Sequence, residues 1–188
     1  FTPERYIKAI ETCENAGMEV VLIDSISHEW DGSGGILNLH GAMPGNSFTN
    51  WAKVTPRHNA FVQKILESPC HIISTIRTKT DYAMVEKNGK YSVEKLGLKG
   101  ITRDGMDYEF TLVFDIDAAH HAVASKDRTG LFVDRPEFQI SEGTGKRLKE
   151  WCYTPEPPKP DLLAMRISKA DEQELKRIMH EYRLSTKT

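Results

Sequence analysis

Two periodicities alternate along the chain. Tyr6, Ile7, Ile10 and Cys13 recur at helical spacing. Thr2 stands where an N-cap belongs, Pro3 at the first helical position, and Gly17 where the helix should stop. In the run Glu19-Val20-Val21-Leu22-Ile23-Asp24, four apolar residues, mostly β-branched, precede a carboxylate. That is the pattern of a buried parallel strand. A Gly-rich loop, Asp31 to Gly35, follows. Residues 47–67 are patterned as a helix restarted by Thr55-Pro56, and Cys70 to Ile76 as a second short apolar strand. Residues 110–117 and 120–125 predict two more strands, and Ser141 to Cys152 a closing helix. Strands alternating with helices predict an α/β fold with a largely parallel sheet. Chemistry in such sheets gathers at the carboxyl ends of strands. Here those ends are Asp24-Ser25, Thr75-Ile76-Arg77 and Ser125-Lys126-Asp127-Arg128.

Residues 78–105 break this pattern. They are polar, with Lys79, Lys87, Lys90, Lys95, Lys99 and Arg103 set against Asp81, Glu86, Glu94 and Asp104. Asn88-Gly89 between Tyr82-Ala83-Met84-Val85 and Tyr91-Ser92-Val93 signals a two-residue hairpin. Beyond the last core helix, Pro155, Pro157, Pro158 and Pro160 predict a stiff linker. From Ser168, Leu175, Ile178, Met179 and Tyr182 share one helical face, with Ser168-x-x-Asp171 as a cap. The expected organisation is a core over 1–152, a Pro-rich linker over 153–167 and an amphipathic C-terminal helix over 168–188.

Composition narrows the partners. With 188 residues and 39% hydrophobic content, the chain can bury one sizeable core. A formal net charge of -2 makes any nucleic-acid site a local patch rather than a property of the whole surface. No apolar run approaches membrane-spanning length and no signal-peptide pattern is present, so a cytoplasmic protein without a membrane partner is expected. Cys13, Cys70 and Cys152 are far apart and read as reduced thiols. The seven histidines fit no metal or triad spacing and read as structural or surface residues. His120 and His121, side by side, would point to opposite faces of a strand. The chain opens Phe1-Thr2-Pro3-Glu4, without Met and already at a helix start, and so reads as the middle of a protein.

Each polar strand end has a functional reading and a bland one. Asp24 ends a buried strand, where a carboxylate can hold the Mg²⁺ shell beside nucleotide phosphates, or can simply cap the next turn. Arg77 and Lys79 can read phosphates, or form a solvated basic turn. Lys126 and Arg128 can reach one anion from one edge, or decorate a charged loop before Leu131-Phe132. The polar hairpin interleaves cations with Tyr82 and Tyr91, as a single-strand site requires, yet its acids suit an ordinary exposed hairpin equally well. Gly143-Thr144-Gly145-Lys146 is a decoy. Ile140 occupies the first Gly position of G-x-x-x-x-G-K-[ST], Arg147 the final hydroxyl position, and no buried strand precedes it. No other Gly-Lys fits, so the 188 residues contain no phosphate-binding loop.

In order and spacing these segments resemble the RecA-like ATPases, specifically the phage-associated AAA-type members linked to recombination and single-strand annealing. Val20-Val21-Leu22-Ile23-Asp24-Ser25-Ile26-Ser27 resembles their Walker B strand, including the Ser after the Asp. Ile72-Ile73-Ser74-Thr75-Ile76-Arg77-Thr78-Lys79 is similar to the strand that ends in a nucleotide sensor and enters a mobile DNA-binding loop. Ser125-Lys126-Asp127-Arg128-Thr129-Gly130 resembles the Lys-x-Arg-x-Gly motif of hexameric relatives, whose cations reach a neighbouring subunit's γ-phosphate. Trp51 to Pro69, with Thr55-Pro56-Arg57-His58-Asn59, and the run Arg103 to Phe110 are also similar to the phage group.

The resemblance covers roughly residues 1–152. It implies a three-layer RecA-like P-loop NTPase core, mostly parallel, with its first strand, phosphate loop and water-activating acid expected upstream of Phe1. It implies ATP and Mg²⁺ as cofactors, bound only with that upstream loop. Asp24 would be the metal ligand, Asp24 and Ser25 would contact nucleotide, and Thr75, Lys126 and Arg128 would be catalytic. Arg77, Lys79, Lys99 and Arg103 would contact single-stranded DNA, and the protein would assemble as a homo-oligomeric ring or filament. The alternative is a non-catalytic nucleic-acid-binding or assembly module on the same scaffold.

Overall fold

The computed structural model describes residues 1–87 and 90–154. The expected Asn88-Gly89 turn, the 155–167 part of the linker and the C-terminal helix over 168–188 lie outside the described residues.

Helix α1 (Pro3–Asn15) starts as its sequence dictates. Thr2 is extended, its hydroxyl accepts from Arg5 N, and Pro3 follows at the first helical position, where a missing N–H leaves nothing unsatisfied. Strand β1 (Val20–Ile23) pairs in parallel with β2 (His71–Ser74), in the register Val20↔His71 to Ile23↔Ser74. Between them run α2 (Ser27–Asp31), α3 (Ile36–Gly41) and the long α4 (Ser47–Glu67). The expected Gly-rich loop, Asp31 to Gly35, is the break between the short helices α2 and α3, with only Asp31 in helix. Gly34, at φ 78°, makes that break in the left-handed region that favours glycine. Pro56 does not restart α4. The helix runs through it without interruption, and its N-cap is Asn46, whose side chain accepts from Phe48 N.

The core lies where α1 and α4 pack against β1 and β2. Ile10, Ile26, Phe61, Ile65 and Met106 form its buried centre, with Tyr6, Ile7, Ile23, Ile72, Ile76 and Phe110 packed around it. Ile10, Phe61 and Ile65 come from the helical periodicities read above, whereas Ile26 and Met106 come from segments for which no element was predicted.

Strands β3 (Thr78–Lys87) and β4 (Lys90–Gly100) form the antiparallel hairpin, with a register irregularity at Asp81/Tyr82. A short helix, α5 (Met106–Glu109), follows. Strands β5 (Leu112–Ile116), β6 (His121–Asp127) and β7 (Phe138–Gln139) make a third small sheet in that order, β6 and β7 pairing antiparallel. The chain is thus mixed α/β, and among the described ladders β1–β2 is parallel while β3–β4 and β6–β7 are antiparallel. The last described element is α6 (Glu142–Tyr153). Among the described residues the chain divides by compactness into two units, 1–115 with 123–135, and 116–122 with 136–154.

Candidate nucleotide-site corner and basic hairpin

The carboxyl ends of β1 and β2 form the best-built polar corner in the first unit. Parallel pairing carries Ile23 opposite Ser74, so the next residues, Asp24 and Thr75, emerge side by side. Thr75 Oγ1 donates to Asp24 Oδ1 at 2.6 Å. The backbone extends this pairing, with Thr75 N donating to the Ile23 carbonyl and Ile26 N to the Thr75 carbonyl. Asp24 remains exposed while Ser25, Ile26 and Ser27 turn inward and are buried. The Asp24–Ser25 peptide is cis.

Ser25 is held by the protein itself. Its Oγ lies 3.2 Å from His28 Nδ1, and its carbonyl accepts from the Tyr6 hydroxyl at 3.0 Å. Burial raises the Tyr6 pKa, and the Glu29 charge adds to the effect. At 3% exposure, Ser25 positions the turn rather than presenting its hydroxyl to solvent. Beside Asp24 opens a cleft of about 450 Å³ lined by Phe1, Arg5, Tyr6 and Ala9. It offers one exposed carboxylate, one guanidinium and two aromatic rings. An oxygen donor at a strand end suits Mg²⁺, which binds through one or two carboxylates and completes its shell with water and phosphate oxygens. Asp24 fits that role through its exposed carboxylate, one oxygen of which is oriented by Thr75.

Behind the corner lies a pair that the linear pattern did not reveal. Glu29 and His58 are 1% and 3% exposed, with His58 Nδ1 3.0 Å from Glu29 Oε2 and 3.2 Å from Oε1. Trp30 stacks near Trp51 and meets the His58 ring edge-on, and His40 stacks on Trp51. Of the two readings left open for the histidines, structural or surface, His58 takes the first. Its partner is 29 residues away in sequence, and no local spacing announces it.

The four cations expected to meet nucleic acid are placed unequally. Arg77 Nη2 lies 2.5 Å from Asp31 Oδ1, and its backbone N–H donates to Ser27 Oγ. Lys99 pairs with Asp104 at 2.8 Å, which raises the Lys99 pKa. Arg103 Nη1 donates to Asn59 Oδ1 at 3.3 Å. Lys79 forms no ion pair with another described residue. It lies directly opposite Lys99 in the hairpin ladder, so two cations share one face. Tyr82, Met84, Tyr91, Val93 and Leu98 of the hairpin all stand in solvent.

Lys126 and Arg128 come together, but on protein atoms. Lys126 Nζ donates to the Asp107 carbonyl at 3.2 Å and to the Tyr108 carbonyl, and Arg128 Nη2 donates to the same Tyr108 carbonyl at 3.0 Å. They satisfy carbonyls at the end of α5. Desolvation lowers the Lys126 pKa, and the Arg128 charge lowers it further. Between them, Asp127 builds the loop. Its Oδ1 accepts from Thr129 N, Thr129 Oγ1 and Gly130 N, and its Oδ2 from Phe132 N and Val133 N. Burial opposes ionisation of Asp127, but these hydrogen bonds outweigh it and hold the pKa low. Gly130, at φ 69°, explains the glycine of the Lys-x-Arg-x-Gly pattern, because the loop turns there through the left-handed region.

Gly143 to Lys146 is an ordinary helix start. Ser141 and Thr144 form a reciprocal capping box, and Lys146 pairs with Glu142 one turn back.

A parallel pair whose apolar strands end in Asp24 and Thr75, followed by a hairpin and then by the Lys126/Arg128 loop, is the order of parts expected of a P-loop ATPase. The AAA domain family matches residues 4–152. The chain belongs to the AAA domain family. No curated protein and no solved structure matches it. Membership makes a nucleotide-binding, ATPase-like role the frame for these residues, and AAA-family ATPases generally use ATP and Mg²⁺. Among the described residues, no helix is long and apolar enough to cross a membrane.

Proposed function

We propose that this AAA domain is the Walker B and sensor-bearing part of a three-layer, mostly parallel RecA-like ATPase that acts on single-stranded DNA, in the manner of the phage-associated recombination group. The observation that carries the reading is the 2.6 Å hydrogen bond from Thr75 to Asp24 at adjacent strand ends. In this reading Asp24 holds the hydrated Mg²⁺, Thr75 orients that carboxylate and senses the γ-phosphate, and Ser25 holds the turn against the nucleotide. ATP supplies the phosphoryl group and Mg²⁺ neutralises charge on its oxygens when both are bound. Phosphates require a cradle of backbone N–H groups, and these 188 residues contain no phosphate-loop motif to supply it. Alone, this chain binds ATP weakly or not at all. Calorimetry with ATP and Mg²⁺ giving micromolar affinity would refute that point.

Lys126 and Arg128 act in trans, in a homo-oligomeric ring or filament. They leave the Tyr108 carbonyl to meet a neighbour's γ-phosphate, where loss of one such Arg costs on the order of 10³-fold in turnover. The test mixes two subunits of a protein carrying the loop, one dead in its P-loop and one Arg128→Ala. Recovered ATPase activity in mixed assemblies supports trans action. A mixture as inactive as its parents, with co-assembly verified, removes it.

A second reading has its own support. Arg77, Lys99, Lys126 and Arg128 are all engaged by protein groups, as in a non-catalytic nucleic-acid-binding or assembly module. DNA binding that is indifferent to ATP, in a protein whose P-loop is intact, would favour this module.

A further inference from the structure

Among the described residues outside the corner and the hairpin, one cluster of donor atoms converges on a shared point. Asp117 follows β5, His121 opens β6, and Glu137 immediately precedes β7. All three belong to the second unit. His121 pairs with Gln139 across the β6–β7 ladder, and Glu137 lies two residues before Gln139, so strand alternation sends both side chains to one face. Asp117 is brought in by the turn. Its Oδ1 accepts from Ala119 N at 2.9 Å and His121 N at 2.8 Å, which leaves Oδ2 facing the imidazole. The turn closes at His120, at φ 64°, so His120 and His121 are not successive strand residues as their adjacency suggested.

His121 Nδ1 lies 3.6 Å from Asp117 Oδ2 and 4.0 Å from Glu137 Oε1. Both distances exceed a direct hydrogen bond. One donor atom from each residue lies within 4.8 Å of the other two. A point central to such a triangle is no more than roughly 2.8 Å from each atom, against ~2.0–2.2 Å for zinc bonds to imidazole nitrogen and carboxylate oxygen. The side chains are 38%, 53% and 63% exposed for His121, Asp117 and Glu137, which leaves room for water in the remaining coordination positions.

We propose that Asp117, His121 and Glu137 form a surface site for a borderline divalent transition-metal ion of the zinc class, which clips the start of β7 to the β5–β6 turn. One imidazole nitrogen with two carboxylate oxygens matches zinc or cobalt, whereas Mg²⁺ prefers oxygen donors alone. The site is separate from the Asp24 corner and does not depend on the ATPase reading.

The test uses the 188-residue chain without an affinity tag. Zn²⁺ is titrated by calorimetry into the parent chain and into His121→Ala and Glu137→Gln, with Co²⁺ as a paramagnetic probe of the His121 ring protons. One equivalent of Zn²⁺ binding, weakened at least about tenfold in each variant, is expected, as is weakening under acid as protons compete for the ligands. Co²⁺ should shift the His121 ring signals selectively. Glu137→Gln removes an exposed charge and leaves the backbone intact, so a folding defect cannot mimic the result. No Zn²⁺ binding, binding equal in all three chains, or Mg²⁺ displacing Zn²⁺ at comparable concentration overturns the proposal.

Discussion

Asp24 and the hairpin that begins at Thr78 are close in space through Thr75, yet they are built in opposite ways. The corner rests on a packed core. Phe61 and Ile10 are each 1% exposed behind it, and the Glu29–His58 pair is buried with them. The hairpin keeps its ladder but buries little, with Tyr82 and Met84 61% and 72% exposed. Rigid placement is what a metal-holding carboxylate needs, since small displacements of charged groups are costly in a site. An extended, solvated ribbon is what a partner-binding segment needs, since its apolar groups must be free to meet something else. On the proposed reading, the difference separates a part of this AAA domain that positions a metal from a part that meets nucleic acid.

Mutation puts this contrast at risk. The largest effect is expected in the core. Phe61→Ala should cost about 3–5 kcal/mol in chemical denaturation, while Met84→Ala in the hairpin should stay within ~0.5 kcal/mol. Equal losses at the two positions would mean that the hairpin is packed on something and that the contrast is false. Glu29→Ala should approach the core value, about 3 kcal/mol, because it leaves His58 buried without its partner. If His58→Phe combined with Glu29→Leu is as stable as the parent, the pair contributes specificity rather than stability, as buried pairs often do.

On the hairpin side, the readout is binding. Changing Lys79, Lys99 and Arg103 to Glu should weaken binding to single-stranded oligonucleotide and flatten its salt dependence, by about 0.7 in log–log slope for each phosphate no longer neutralised. Thermal stability should change little. Unchanged affinity would leave an ordinary exposed hairpin.

The smallest effect concerns acid. Glu4 accepts two hydrogen bonds from Arg57, at 2.6 and 2.8 Å, which take its pKa from an ordinary 4.5 down to about 2. A depressed carboxylate pKa stabilises the fold above the unfolded value, and that stabilisation is lost as pH falls from about 4.5 toward 2. Half of the Glu4 side chain is exposed, so solvent screening limits the pair to about 0.2–1 kcal/mol. Arg57→Met should remove that share of the pH dependence and return the Glu4 titration, followed by NMR, to the usual carboxylate range. A Glu4 titration left near 2 in Arg57→Met would show that the guanidinium is not its cause.

Local pattern determined much of this molecule. The apolar period and the Thr2-Pro3 signal specify α1. The β-branched run specifies β1, and the amphipathic stretch over 47–67 coincides with α4. These elements are legible because each depends on neighbours within one turn or one strand. Strand ends are legible for the same reason, which is why Asp24 and Thr75 stood out before their hydrogen bond was seen. Pro56 misled because a long amphipathic helix with a buried face can absorb one lost hydrogen bond. Only tertiary structure could pair Glu29 with His58, occupy Lys126 and Arg128 with the end of α5, or gather Asp117, His121 and Glu137 around one point. Each of these brings together side chains from different elements, and distance in sequence carries no signal of distance in space until the ladders and the core have set the geometry.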